Sequence, residues 1–118
     1  MDSTALEFRN SCLDILSFLS SPERQRKFAS KVEYIDYKNE FICWWFDDLV
    51  MDSLPQGTGL ISESFNTTEK CFLCEFTKVF DENLGSEEQP IEELLNNTQW
   101  KQVIAAAQKT LDKIAKIT

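Results

Sequence analysis

Apolar side chains along this chain fall into stretches of helical spacing separated by polar punctuation. From Thr4 to Leu19, the residues Leu6, Leu13, Leu16 and Leu19, joined by Cys12 and Ile15, recur mostly at three- and four-residue steps, the mark of an amphipathic helix of about four turns. Ser20-Ser21-Pro22-Glu23 follows. A serine N-cap, a proline at the first helical position and a glutamate in the first turn are start signals, so a second helix is predicted from Pro22. It is expected to run unbroken to Val50, because Phe28, Val32, Ile35, Asn39, Ile42, Phe46 and Leu49 repeat at alternating steps of four and three. Tyr34, Tyr37, Phe41, Trp44 and Trp45 form a second line of large residues beside the first, as expected of a central helix with neighbours on two sides.

Met51 to Phe65, with Pro55, Gly57, Gly59 and no helical period, reads as one long connection. Asn66-Thr67-Thr68-Glu69 then has the spacing of a capping box, with Phe65 placed for a hydrophobic staple. The third helix is predicted from Thr67 to about Asn83, with Phe72, Leu73, Phe76, Val79 and Phe80 on one face and Gly85 as its stop. After an acidic turn from Ser86 to Gln89, Pro90 opens a short helix, Ile91 to Asn96. Thr98 is expected to cap the last helix, whose stripe is Trp100, Val103, Ile104, Ala107, Leu111 and Ile114. The predicted fold class is all-α: one domain over residues 1–118, a bundle of four main helices and one short one.

The densest stretch is Phe41 to Leu49. Neighbouring residues on an α-helix point about 100° apart, so Trp44 and Trp45 are not both expected at the centre of one narrow stripe. Ile42, Phe46 and Leu49 fall in the core register and Trp45 borders it. Trp44, Asp47 and Asp48 are residues the core does not require. Two adjacent acids near a helix C-terminus also oppose the helix dipole. They are either a solvated helix end or the edge of a surface that receives another protein.

Charge sharpens this choice. Twenty acidic residues against twelve basic give a net charge of −8, which repels phosphate backbones and favours a basic protein partner over nucleic acid. Residues 41 to 93 hold twelve of the acids against two lysines. Asp47, Asp48, Asp52 and Glu63, with Glu82, Glu87, Glu88, Glu92 and Glu93 further along, are therefore the candidate partner-binding carboxylates, with Trp44 as the aromatic anchor.

No histidine occurs, and the three glycines form no phosphate-cradling loop, which argues against most enzyme classes. No cofactor is expected. Cys71-x-x-Cys74 has the spacing of a redox dithiol or half a zinc site. Within a helix beside Phe72 and Phe76 it is expected to pack as core, the alternative being zinc held together with Cys12 and Cys43. No apolar run reaches the roughly 18 residues of a membrane span, and Asp2 and Glu7 are unlike the basic head of a signal peptide, so a cytoplasmic protein with reduced thiols is expected.

Ser21-Pro22-Glu23-x-Gln25, Trp45-Phe46-Asp47-Asp48-Leu49, Phe65-x-x-x-Glu69 and Trp100 leading an alanine-rich helix together resemble the small helical bacterial immunity proteins of polymorphic toxins, including contact-dependent growth inhibition systems. The resemblance spans most of the chain. It implies a non-enzymatic function: binding one cognate toxin domain, often a basic RNase or DNase, and blocking it in the producing cell. The chain departs from the family pattern at Leu54-Pro55-Gln56-Gly57-Thr58-Gly59, where partner choice would be written. Outside that resemblance, the residues themselves leave open a helical adaptor or a metal protein built on cysteines or carboxylates.

Overall fold

A computed structural model describes residues 3–32, 37–85 and 89–117. Among these, the chain forms helices α1 (Ser3–Leu19), α2 (Pro22–Lys31), α3 (Tyr37–Ile42), α4 (Gly59–Ser64), α5 (Thr67–Glu82), α6 (Ile91–Asn96) and α7 (Thr98–Ile117), with no strand. The all-α expectation holds. α7 packs against both α5 and α1, α1 also carries α2 and α4, and α6 lies between α2 and α7.

The cap signals act as their chemistry requires. The Ser21 side chain accepts from the Arg24 amide at 3.2 Å, with Pro22 opening α2. The Asn66 side chain accepts from the Glu69 amide at 2.8 Å while Glu69 accepts from the Asn66 amide at 3.0 Å, so the capping box closes in both directions. At α7 the cap is Asn97, whose Oδ1 accepts from the Trp100 amide at 3.0 Å. The expected cap, Thr98, is instead the first residue of the helix.

The long second helix is not one helix. α2 stops at Lys31, Val32 is extended (φ −123°, ψ 153°) and exposed, and the chain is helical again from Tyr37. Ile35 and Tyr34 lie outside the described residues. From Cys43 to Asp48 the helix widens into a π-helical turn, in which the Leu49 amide donates to the Trp44 carbonyl five residues back, at 3.2 Å. The buried residues are then Tyr37, Phe41, Trp45 and Leu49, a strict spacing of four. On an α-helix such a spacing drifts by about 40° per step. The wider π turn takes up that drift and keeps Trp45 and Leu49 facing inward. The predicted core register is corrected accordingly: Ile42 and Phe46 are partly buried, Asn39 is exposed, and Trp45, expected at the border, is completely buried.

The expected long connection also has structure. Val50 turns the chain in the left-handed region (φ 56°, ψ 40°), and a single 3-10 turn spans Met51–Ser53. α4 follows, capped by the Thr58 hydroxyl, which accepts from the Ile61 amide. Met51, Ile61, Ser64 and Phe65 are buried. Left-handed geometry is unfavourable for a β-branched residue. In α1 the buried set is Ala5, Cys12, Leu16, Phe18 and Leu19, whereas Leu6 is 48% exposed.

Two tryptophans anchor the core through their N–H groups as well as their area. Trp45 Nε1 donates to Thr77 Oγ1 at 2.9 Å, and that hydroxyl donates to the Leu73 carbonyl at 2.7 Å. Trp100 Nε1 donates to Gln25 Oε1 at 3.0 Å, while Gln25 Nε2 donates to the Leu19 carbonyl at 3.1 Å. Each buried donor is thereby satisfied, which removes a desolvation penalty of about 1–3 kcal/mol per group. Phe41 stacks on Trp100 with ring centroids 6.0 Å apart, and Phe76 meets Trp45 edge-on at 5.0 Å.

Candidate partner-binding site

The π turn distributes the rings of the densest stretch among three neighbours. Trp45 goes inward to α5. Phe46 packs on Phe80 at 5.2 Å between centroids, and Trp44 meets Phe18, Phe28 and Phe41 at 5.2 to 5.4 Å. Trp44 is therefore half-buried in an aromatic cluster under α1 and α2, with its Nε1 donating to the Glu40 carboxylate at 3.3 Å. Only part of its ring is left for a partner.

With the rings placed, the turn leaves Asp47 and Asp48 exposed, followed by Val50, which is 40% exposed, and by exposed Asp52. The Phe46–Phe80 contact brings this corner beside the C-terminal end of α5, where Asp81 and Glu82 are exposed. Asp52 and Asp81 line one groove between the Asp52–Pro55 segment and the outer face of α5, with a volume of about 630 Å³. Asp47, Asp48, Asp52, Asp81 and Glu82 have no ion-pair partner among the described residues, whereas Asp14, Glu75 and Glu92 are paired with Arg24, Lys113 and Arg26. Burial, then a hydrogen bond to Asp47 and the nearby carboxylates, hold the Cys43 thiol above its usual pKa. This is the sign expected where negative charge accumulates.

The other predicted carboxylates are scattered. Glu63 borders a shallow depression with Arg9, Ser64 and Glu69. Glu92 is held by Arg26 at 2.8 Å between α2 and α6, and Glu93 is exposed on α6. Glu87 and Glu88 lie outside the described residues. Of the sequence-predicted carboxylates, Asp47, Asp48 and Asp52 therefore lie together on the π turn and the segment after it, and the Phe46–Phe80 contact brings that segment toward the end of α5 that carries Glu82. Asp81 and Val50 join them without having been predicted. Asp81 was readable from the outer face of α5, since Cys71, Cys74, Lys78 and Asp81 repeat at three- and four-residue steps opposite Leu73, Phe76 and Phe80. The exposure of Val50 follows from the left-handed turn, which no local pattern announces.

The cysteines correct a further expectation. Cys71 is exposed and Cys74 half-buried, and both line the α5 groove rather than the core. Cys12 is fully buried on the inner face of α1, and burial pushes its thiol far above the ordinary range. No group of three or more cysteine, aspartate or glutamate side chains placed to hold a metal occurs among the described residues. No helix among them is long and apolar enough to cross a membrane.

What this corner offers is recognition chemistry: an exposed aliphatic side chain flanked in sequence by carboxylates that have no ion-pair partner among the described residues, beside a groove with apolar walls. No family model, curated protein or solved structure matches the chain.

Proposed function

We propose that this chain is a non-enzymatic immunity protein that binds a basic toxin domain in the cytoplasm, a nuclease by its charge preference, and neutralises it through the corner built by Asp47, Asp48, Val50 and Asp52 with Asp81 and Glu82. One observation carries this reading. Asp47, Asp48, Asp52, Asp81 and Glu82 are all exposed on the π turn, the segment after it and the end of α5 that this segment packs against, and none of the five forms an ion pair among the described residues. Their mutual repulsion costs stability that a basic partner would recover on binding. The same corner carries the π turn and a left-handed valine, backbone features found disproportionately at functional sites. The toxin as partner is supported by the resemblance of the Ser21–Gln25, Trp45–Leu49 and Phe65–Glu69 motifs. Trp44, expected as an anchor, contributes at most its exposed edge.

The test is titration of the full chain with the toxin domain encoded beside it. Binding is expected at micromolar protein and modest salt. Asp47→Lys with Asp48→Lys should slow association by about tenfold or more and flatten its salt dependence, because charge steering acts on the on-rate. Absence of binding, or an on-rate indifferent to the charge reversal, would remove the proposal.

A further inference from the structure

Cys71 and Cys74 play no part in the acidic corner. Both lie inside α5, three residues and less than one turn apart, and both line the groove between α5 and the Asp52–Pro55 segment. Cys71 is exposed, Cys74 is half-buried, and both are free thiols. A cysteine kept for packing behaves as a small buried hydrophobe, whereas this pair opens onto one concave face. The other two cysteines stand apart from it: Cys12 is buried in α1, and Cys43 lies in the π turn, outside the groove. The helix limits what the pair can do. Residues three apart on an α-helix hold their Cβ atoms about 5–6 Å from each other. A disulfide requires them at about 3.5–4.5 Å, so a direct S–S bond would pull a turn of α5 out of shape. A single atom placed between the sulfurs needs no such approach, because two thiolate–metal bonds of about 2.3 Å in line hold the sulfurs about 4.6 Å apart.

We infer that Cys71 and Cys74 form a two-coordinate site for monovalent copper on the outer face of α5. The donors select the ion. No group of three or more side chains placed to hold a metal occurs among the described residues, and a structural zinc site takes four ligands. Two soft thiolates alone suit a soft ion that is satisfied by two, which is Cu(I). On binding, each thiol gives its proton to solvent, two Cu–S bonds form, and no electron is transferred. The product carries one negative charge. Lys70 and Lys78 stand one turn before and one turn after Cys74 and line the same groove, where they offset that charge, although Lys70 also donates to Ser62 Oγ at 3.3 Å. Glu75 is already held by Lys113 at 3.3 Å. Of the other acids in the groove, Asp81 lies about 10 Å further along the helix axis, and Asp52 belongs to the opposite wall. The inference uses none of the residues of the acidic corner for ligation, and it stands without the toxin reading.

The reduced full-length protein is titrated without oxygen against Cu(I) presented as its bicinchoninate complex, whose colour fades as copper is withdrawn. One equivalent of copper per chain should be taken up. With copper in excess of the dissociation constant, Tm should rise by about 5 °C or more, because the ion binds the folded helix and ties one of its turns. Cys71→Ser and Cys74→Ser should each weaken binding by about a hundredfold or more and remove the rise in Tm. Neither side chain is buried in the core, so both variants retain the fold, which their far-UV circular dichroism verifies. Cys43→Ser should bind copper as the wild-type protein does. Zinc, followed with a chromophoric indicator, should bind about a hundredfold or more weakly than Cu(I). Four results would each overturn the inference: no withdrawal of copper, uptake that survives either serine substitution in the groove, zinc held as tightly as copper, or half an equivalent per chain, as two chains sharing one ion would give.

Discussion

At the scale of single residues, the adjacent tryptophans 44 and 45 differ in role because the backbone between them is not α-helical. Trp45 is completely buried and bonded through Nε1 to Thr77, while Trp44 keeps an exposed edge and bonds to an exposed glutamate. Trp45→Phe removes buried ring area and takes the N–H from the Thr77 hydroxyl, leaving a cavity between the π turn and α5. A loss of about 2–4 kcal/mol is expected on urea unfolding. Trp44→Phe keeps a ring among Phe18, Phe28 and Phe41, and should cost less than about 1 kcal/mol. Equal losses for the two would mean that the π turn does not set their burial. The sequence does contain the strict spacing of Tyr37, Phe41, Trp45 and Leu49. The competing series from Phe28 to Leu49 fits the α-helical period better, and a single-sequence pattern cannot announce a change of period inside one helix.

Among the polar contacts between elements of the described residues, a charge-assisted pair ties α1 to the start of α5. The Arg9 guanidinium donates to both Glu69 oxygens at 3.0 and 2.7 Å and to the Ser64 carbonyl at 3.1 Å, with the Phe65 ring beneath it. Burial alone would raise the Glu69 pKa. The hydrogen bonds from Arg9 and from the Asn66 amide outweigh it and hold the carboxyl below its ordinary value near 4.5. A depressed folded-state pKa gives stability that is fully present above the unfolded value and is lost as pH falls through the folded one. The wild-type protein should therefore lose stability below about pH 4.5 in steps that include this pair. Glu69→Gln, which keeps the capping geometry but leaves Arg9 without its counter-charge, should cost about 3 kcal/mol at pH 7. It should also lose less on acidification, as read from urea midpoints between pH 7 and pH 3; parallel curves would show that Glu69 is not the titrating group. The capping half of this cluster was legible because Asn66 and Glu69 are three residues apart. The Arg9 half was not, since sixty residues separate the partners. The break at the extended Val32 had a quieter sign in the β-branched and aromatic run Val32, Tyr34, Ile35 and Tyr37, residues of middling helix propensity.

At the scale of the whole molecule, a net charge of −8 acts on folding and on binding with opposite signs. The exposed ion pairs Arg24–Asp14, Arg26–Glu92 and Lys113–Glu75 are contacts of 2.8 to 3.3 Å. Those distances are short beside a Debye length of about 10 Å at 0.1 M salt, and each such pair contributes only about 0–1 kcal/mol. Repulsion among the unpaired carboxylates of the Asp47–Asp52 corner and the end of α5 acts over longer distances and is screened first. Raising salt from about 10 to 150 mM should therefore stabilise the free protein, by roughly 0.5 kcal/mol or about 2–4 °C in Tm. Over the same range, association with a basic partner should slow several-fold as steering is screened. Calorimetric melts and stopped-flow association across one salt series measure both. Charge reversal at Asp47 and Asp48 should flatten both responses together, because one set of carboxylates causes them. If the Tm response flattened while the association response stayed steep, the charge that steers the partner would lie away from this corner. The carboxylates of this corner would then serve solubility rather than recognition.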